Sequence, residues 1–504
     1  MSFEVESPTA LGEAIDARVV CTKKNTHKDN ENQPVVQKTA QEFLFQYLEE
    51  VVGDSIWKCG CDDDRVNRRN EAHLITLFER YLTGCDEDNI SKYVYAENAA
   101  YIRIYNGCFF ERFEVGTLEY IIKKILKKAQ VGNVYVHNSC EKITKEVVKT
   151  LLHCGCDWHS DNRYFVFRNG VLDVSEMQLL PFSAQYLTNN IFSINYDANA
   201  SCTTFRGCLN DALDSTEQAV LQELCGYLLF PDCRHEIIGV LVGNGRNGKS
   251  AILNAVAYAL GDANKRVTHY NLQQMTDKKG NCIAQTIGAI ANISNESGNL
   301  LVGSEAALKS YASGEPIKAR NLYQNSFTTT EYPKSIVAVN ELPTGSDFSD
   351  GFFRRFLIIP FKKQIPLEKV NKELKFTLQG EQMGILLWIF EGMKRLEENG
   401  AFSQCDSVDN IADRYRTESD SVASFVVEKQ MQPSEEGKRE LSQVYSDFKE
   451  YLLANGFQSM SSRKFAERLR HLGFHLSRGT GGQMCVSFTF AEKIIHSDLE
   501  KLPF

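Results

Sequence analysis

The sequence of 504 residues lacks any stretch long enough to cross a membrane. A spanning helix needs roughly 18 to 20 consecutive apolar residues, and no run approaches that length. The first residues, Met1–Ala10, also lack the basic stretch followed by an apolar one that marks a secretory signal. We therefore expect a soluble protein without a membrane partner, working in the cytoplasm of a bacterium or of a host cell.

Clustered cysteines and an excess of basic residues are absent as well. The 15 cysteines are scattered through apolar segments, which is typical of reduced thiols rather than of a disulfide framework. The formal net charge is -9, so the exterior is not basic, and a protein that coats nucleic acid over its whole surface is disfavoured. Any contact with nucleic acid is expected to be local, on a pore lining or on one small domain.

The chain is long enough, and at 43% hydrophobic residues apolar enough, for several packed domains. Turn signals and changes in hydrophobic periodicity divide it into five segments, and no internal repeat is visible. These are 1–90, an arm and helical segment of unknown role; 91–202, an α+β unit; 203–366, an α/β core; 367–416, a helical connector; and 417–504, a C-terminal unit of helices and a terminal hairpin.

The segment Gly243–Ser250 fits the pattern G-x-x-x-x-G-K-[ST] between an apolar strand, Ile237–Val242, and a helical stretch, Ala251–Leu260. In this pattern the backbone amides converge on phosphate oxygens, the lysine neutralises phosphate charge and the serine ligates magnesium. The alternative, a chance glycine-rich turn, is disfavoured by the flanking strand and helix. The residues predicted to bind ATP with Mg2+ are Gly243, Asn244, Gly245, Arg246, Asn247, Gly248, Lys249, Ser250 and Ala251.

Hydrolysis also needs groups that hold magnesium and orient water, and two strand ends downstream carry suitable side chains. Glu296 ends the apolar run that begins at Ile287, and we assign it to water activation and, with Ser250, to the metal shell. A solvated acid in a polar turn is the alternative. Asn340 follows the strand Ser335–Val339, where an amide can position the lytic water or read the γ-phosphate.

Two adjacent arginines, Arg354 and Arg355, precede the apolar run Phe356–Pro360. They are either surface charges or arginines offered to the nucleotide of a neighbouring subunit. Residue chemistry alone leaves both interpretations open, since an exposed arginine needs no special role. The second interpretation requires an oligomer whose nucleotide sites lie between subunits.

Taken in order, these motifs resemble the phage and poxvirus-type primase-helicases of superfamily 3, within the AAA+ class. The stretches that carry the resemblance are Arg168–Asp173, Leu224–Leu229, Gly243–Ser250, Asn340–Pro343 and Ser349–Arg355, and 415–490 is similar to the winged-helix-like module of that family. About residues 93–490 are covered. The resemblance implies an α/β fold: an AAA+ P-loop core with an α+β domain before it and a winged-helix-like domain after it.

The resemblance also implies a homo-oligomer, usually a hexameric ring, with ATP between subunits and single-stranded DNA in the channel. The residues implied to act within one subunit are Lys249, Ser250, Glu296 and Asn340. The neighbouring subunit would supply an arginine finger, with Arg355 favoured over Arg354, and a second cation, Lys309.

The segment Ile317–Asn325 occupies the place of the family's channel hairpin. Its Lys318, Arg320 and Tyr323 suit phosphate pairing and base stacking, although an ordinary solvated hairpin is the alternative. One departure is Asn295, which stands where many AAA+ proteins have a second acid. Another is that no catalytic constellation for priming is visible, so we expect a helicase part without a fused primase, working with a separate primase or polymerase.

Two weaker signals stay open. The pairs Cys59/Cys61 and Cys154/Cys156 are either a zinc site or ordinary free thiols. The stretch Ser461–His471 resembles a recognition helix that would bind duplex DNA, or else is a protein-docking or solvated helix; its basic residues are Arg463, Lys464, Arg468 and Arg470.

The leading hypothesis is an ATP-dependent DNA helicase for replication of a phage, virus or mobile element, acting on single-stranded and forked DNA. A replication initiator or loader that uses ATP without processive unwinding is the alternative. A sensor ATPase is a third, for which no effector motif is visible.

Overall fold

The computed structural model describes residues 40–57, 68–83, 94–97, 101–128, 136–153, 163–295, 305–321, 325–340, 342, 350–366, 371, 373–455, 457, 459–479 and 481–490. None of the helices within these ranges is both long and apolar enough to cross a membrane.

In the described residues, the N-terminal unit packs four helices around a small antiparallel sheet. In helix α1 (Ala40–Trp57) Leu44 and Leu48 are buried one turn apart, and in α2 (Arg68–Thr83) Leu74 and Phe78 do the same. The other elements are β1 (Val94–Ala96), β2 (Tyr101–Tyr105), β3 (Phe110–Glu114), α3 (Val115–Lys128) and α4 (Val136–His153), with strand order β1-β2-β3. These elements share one apolar core.

A second antiparallel sheet follows and belongs to a different core. Its strands are β4 (Tyr164–Phe167), β5 (Gly170–Asp173) and β6 (Gln178–Leu180). The Phe165 ring lies 5.1 Å from that of Phe390, far along the chain, and both belong to the large core under the central sheet. Residues 91–202 therefore contribute to two cores.

The central sheet has five parallel strands in the order β13-β7-β12-β9-β8. They are β7 (Ile238–Val242), β8 (Val267–Thr268), β9 (Ala291–Ser294), β12 (Ser335–Val339) and β13 (Phe356–Pro360). The residues of the three inner strands are almost all buried, because helices and loops cover both faces of a parallel sheet. This sheet confirms the expected α/β class, whereas the AAA+ and winged-helix assignments stay predictions.

Helices and one hairpin surround this sheet. In chain order they are α5 (Thr203–Ala212), α6 (Ser215–Tyr227), α7 (Lys249–Ala259), α8 (Leu272–Met275), α9 (Asn281–Thr286), α10 (Glu305–Ala312), the hairpin β10 (Ile317–Ala319) and β11 (Phe327–Thr329), α11 (Asp350–Phe353), α12 (Leu374–Gly380), α13 (Gln382–Asn399) and α14 (Asp406–Ser419). Helix α13 packs along α6, and α14 packs on β13.

A buried ionic network fixes α13 against α6. Glu223 on α6 is 0% exposed, and its carboxylate accepts hydrogen bonds from Arg395 Nε at 2.6 Å and from the Ser403 backbone amide at 2.7 Å. The same guanidinium donates to Gln222 Oε1 at 2.8 Å. Further along, Glu381 accepts from two amides at the start of α5. The segment expected as a connector thus packs into the core.

The C-terminal unit packs three helices on a three-stranded antiparallel sheet. Its elements are α15 (Ser421–Glu428), β14 (Met431–Glu440), α16 (Leu441–Ala454), α17 (Ser462–His471), β15 (His475–Arg478) and β16 (Met484–Phe490), with strand order β14-β16-β15. The rings of Phe425, Phe448 and Phe465 meet at its centre. The predicted terminal hairpin is present as β15 and β16.

We expect Arg395→Met to lower the free energy of unfolding by about 2–3 kcal/mol, because it leaves the Glu223 carboxylate buried without its cation. Thermal unfolding followed by circular dichroism measures this. The matched control is Arg206→Met, whose pair with Glu391 spans 3.3 Å between half-exposed side chains and should contribute less than about 1 kcal/mol. Equal losses in both variants would contradict the role assigned to the buried pair.

Candidate functional site

The predicted phosphate loop connects the carboxyl end of β7 to the amino end of α7. Its backbone turns through left-handed conformations at Gly245 (φ 63°), Arg246 (φ 51°) and Gly248 (φ 83°). Such turns direct successive backbone amides toward one point and form an anion-binding nest. The nest continues into the amino end of α7, where unpaired amides and the helix dipole also favour an anion.

Close packing holds the loop against the segment that follows β13. A Cβ added at Gly243 would collide with the backbone carbonyl of Phe361 and the side chain of Asn247, so this position requires glycine. Asn247 Nδ2 donates to that same carbonyl at 3.2 Å, and the Ile365 amide donates to the carbonyl of Arg246 at 2.8 Å. Contacts within the chain therefore hold the loop in this conformation.

The Lys249 ammonium lies inside the loop. It donates to the carbonyl of Gly243 at 2.5 Å and to Asn247 Oδ1 at 3.0 Å, and the residue is 5% exposed. Burial lowers the pKa of this ammonium below its ordinary value, because its partners are neutral oxygens and the charge is desolvated. A bound phosphate would supply the missing negative charge, so the site fits the β- and γ-phosphates of a nucleotide.

A cavity of about 680 Å³ adjoins the loop, a volume typical of small-molecule sites. Its floor includes Gly243, Asn244 and Gly245, and Asn340 at the end of β12 lies in its wall, as predicted from the strand pattern. Residues that the sequence analysis did not assign complete the lining: Leu342, Lys362, Gln364, Ile411, Arg414 and Tyr415.

The last three of these lining residues come from α14, which was expected to be a connector. Ile411 and Tyr415, one turn apart, belong to the core against β13 and bring Arg414 to the cavity. The spacing of two apolar residues with a cation between them was the available signal. It could not be used, since sequence does not say which strand a helix covers.

The metal shell is described in part. Ser250 is exposed at the amino end of α7, where its hydroxyl suits magnesium beside bound phosphates. Glu296 lies outside the described residues. Asn295, immediately before it, donates from Nδ2 to Asn254 Oδ1 on α7 at 2.9 Å, which brings the end of β9 next to the helix that begins at the loop. The role of Glu296 in the metal shell stays a prediction.

The arginine pair lies at the opposite edge of the sheet from the loop. Arg354 and Arg355 precede β13, which runs parallel to β7, and a five-residue strand spans about 16 Å. Neither arginine can therefore reach the phosphate loop of its own chain. Lys309 lies on the same side, on α10, one turn before Ser313, whose hydroxyl accepts from Arg355 Nη2 at 2.9 Å.

The two arginines differ in exposure. The Arg355 side chain is 12% exposed and donates to Ser313 and to the carbonyl of Gly351. The Arg354 side chain is 66% exposed, and its nearest acidic partner in the described part of the chain, Glu236, is 3.9 Å away. The geometry thus favours Arg354 as the side chain that can contact another molecule, whereas the sequence analysis favoured Arg355.

A hairpin is present at the predicted place as β10 and β11, with Lys318 and Arg320 exposed, and its position in a channel stays a prediction. The strand β10 is fixed just beyond its end, where the Arg320 amide donates to the carbonyl of Gly280 at 3.1 Å. Tyr323 lies outside the described residues, as do Cys59, Cys61, Cys154 and Cys156. In the part of the chain that is described, no group of three or more His, Cys, Asp or Glu residues is placed to hold a metal ion.

The candidate recognition helix α17 needs one correction. Arg468 is not available for phosphates, because its Nε donates to the buried carboxylate of Asp420 at 2.5 Å and so ties α17 to the start of α15. Arg463 pairs with Glu467 at 3.4 Å on the exposed face. Lys464 and Arg470 remain exposed there.

Comparison with known protein families gives two matches. Residues 80–214 match the family described as D5 N terminal like. Residues 241–355, which contain the loop and both arginines, match a family of unknown function, DUF5906. Each match covers less than half of the chain.

A relative of similar sequence comes from Acanthamoeba polyphaga mimivirus and is named "Putative helicase L207/L206". It is 27% identical over 231 residues, which are 43% of this chain and 23% of that protein, so the chain spans under a quarter of the relative's length. The chain is thus similar to a D5-like family over one segment and, over 231 residues, to a viral protein named as a putative helicase.

Two solved structures of the NrS-1 C terminal region, both apo, are also similar. One is 10% identical with a TM-score of 0.44, and the other is 12% identical with a TM-score of 0.42. Each alignment covers 78% of this chain and 95% of the other.

We expect Gly243→Ala to lower the free energy of unfolding by about 1–3 kcal/mol, since the added methyl group overlaps a backbone carbonyl and forces the loop to shift. Differential scanning calorimetry measures this. Gly207→Ala is the control: a Cβ there, on α5, meets nothing within 4 Å, so this helix should become slightly more stable. A Gly243→Ala protein as stable as the Gly207→Ala protein would show that the loop is not held as described.

Proposed function

We propose that this protein is an ATP-dependent DNA helicase whose hydrolytic site is completed by a neighbouring copy of the chain. One observation carries the proposal: the predicted phosphate loop with its buried Lys249 lies at one edge of the sheet, and an exposed arginine lies at the other. An arginine placed away from its own loop is available to the nucleotide of a neighbouring subunit. The similarity to a viral helicase-like protein supports the choice of substrate.

Within one subunit, the loop amides and Lys249 bind the phosphates and neutralise their charge. Ser250, and by prediction Glu296, would hold magnesium, which would offset the negative charge that develops on the transferred phosphate. Asn340 at the end of β12 orients the attacking water, and Glu296 takes its proton. Arg414 on α14, which lines the same cavity, adds a cation beside the nucleotide.

From the neighbour, Arg354 reaches the γ-phosphate as charge develops on it, and Lys309 approaches from the same side. A ring, by family resemblance a hexamer, is the assembly in which every loop meets such an arginine. The β10–β11 hairpins would then face a central channel, where Lys318, Arg320 and Tyr323 contact a single DNA strand. Hydrolysis moves the hairpins along that strand and unwinds forked DNA ahead of a separate primase or polymerase.

Lys249→Ala should reduce ATP hydrolysis by at least about 100-fold, because it removes a preorganised cation from the transferring phosphate. Unwinding of a fluorescent forked duplex should be lost in parallel. ATP-driven melting without movement along the strand would favour the initiator or loader. Hydrolysis that is unchanged by DNA would count against both functions and favour a sensor ATPase.

Arg354→Ala should lower the kcat of ATP hydrolysis by about 1,000-fold and leave the KM for ATP unchanged, as expected for an arginine finger. Mixing it with the Lys249→Ala protein should restore part of the activity, because some interfaces then combine an intact loop with an intact arginine. Arg234→Ala, at an exposed arginine near the same edge of the sheet, is the control and should be fully active. Failure of the mixture to recover activity would place Arg354 outside the neighbour's site.

A further inference from the structure

A strained turn leads into β7 on the side of the sheet where the arginines lie. Glu236 has a φ of 53°, and its amide donates to the carbonyl of Cys233 at 2.7 Å. A residue other than glycine seldom adopts this left-handed conformation unless the surrounding structure holds it there. The surrounding structure therefore fixes the backbone of Glu236 and with it the starting point of its side chain.

Strand register places Glu236 beside the arginine pair. Phe356 on β13 lies opposite Ile238 on β7, and the Ile238 amide donates to the carbonyl of Arg355 at 2.7 Å. The three charged residues lie within two positions of this first pair, Arg354 and Arg355 before Phe356 and Glu236 before Ile238. The three charged residues therefore enter the sheet together, on neighbouring strands.

One carboxylate oxygen of Glu236 faces both guanidinium groups. Its Oε2 lies 3.2 Å from Arg355 Nη2 and 3.9 Å from Arg354 Nη2. Asp232, four residues earlier in the same turn, is engaged elsewhere, since both of its oxygens accept from Arg234 at 2.8 Å. Among the described residues, Glu236 is thus the acidic partner that the two arginines share.

The two contacts are unequal. Arg355 is nearly buried and is also held by Ser313 and by the carbonyl of Gly351, so its contact with Glu236 is both the shorter and the better fixed of the two. Arg354 is exposed and its contact with Glu236 is long. Exchanging this contact for one with a phosphate therefore costs little free energy.

We propose that Glu236 is a positioning residue for the arginine finger. It holds the Arg355 side chain in place, and it keeps the Arg354 side chain directed outward, toward the nucleotide of the next subunit. This inference rests on the proposed function. Glu236 touches no part of its own nucleotide site, because it lies at the amino end of β7 and the loop lies at the carboxyl end.

The test is steady-state ATP hydrolysis by the assembled full-length protein, with kcat and KM separated. Glu236→Gln keeps the size and shape of the side chain but removes its charge. It should lower kcat by about tenfold, equivalent to one charge-assisted hydrogen bond, and leave the KM for ATP unchanged. Glu236→Asp, which keeps the carboxylate and tolerates the left-handed backbone, should recover much of the lost kcat. Asp232→Asn is the matched control and should behave as wild type.

A double variant distinguishes positioning from general support of the fold. If Glu236 acts through Arg354, then Glu236→Gln should add nothing to the loss caused by Arg354→Ala. An unchanged kcat in Glu236→Gln, or additive losses in the double variant, would overturn the inference while the helicase function stands. If Arg354→Ala itself hydrolyses ATP as fast as wild type, the proposed function fails instead, and the two failures are told apart.

Discussion

The contact between α6 and α13 fixes the parts on which the candidate site depends. Glu223 is fully buried, and a carboxylate in that position is tolerated only when its charge is paired and its oxygens accept hydrogen bonds. Arg395 and the amide of Ser403 meet that requirement, and both follow the central sheet by several dozen residues. The pairing of Arg395 and Ser403 with Glu223 fixes the position of the chain just before α14. It therefore determines where α14 begins and which strand α14 covers.

Much of this arrangement could be predicted from residues close together in the sequence. The loop, its flanking strand and helix, Asn340 at a strand end and the hairpin that carries Lys318 and Arg320 are local patterns, since each is set by a few neighbouring residues. The phosphate loop needed only its glycines, its lysine and an apolar strand before it. Order along the chain then sufficed to anticipate which strand ends carry polar groups.

Other features could not be predicted because they arise from distant packing. Arg414 and Tyr415 line the same cavity as the loop, although more than a hundred and fifty residues separate them from it in the chain. No local sequence pattern indicates that they share this cavity. The burial of Arg355 depends on Ser313 and on the turn at Glu236, so two adjacent arginines of equal chemistry acquire different surroundings. The same reasoning applies to Arg468, which was predicted to bind phosphates and instead pairs with the buried Asp420.

Under the proposed function, strand β13 joins two places that concern different nucleotides. Arg354 and Arg355 precede it, and Phe361, whose carbonyl contacts the phosphate loop, directly follows it. A strand paired by hydrogen bonds along its length is stiff, so a displacement at one end is passed on to the other rather than absorbed between them. In a closed ring, each subunit would therefore couple two nucleotides. The state of the nucleotide that its arginines contact would affect the phosphate loop with which the same subunit holds another nucleotide.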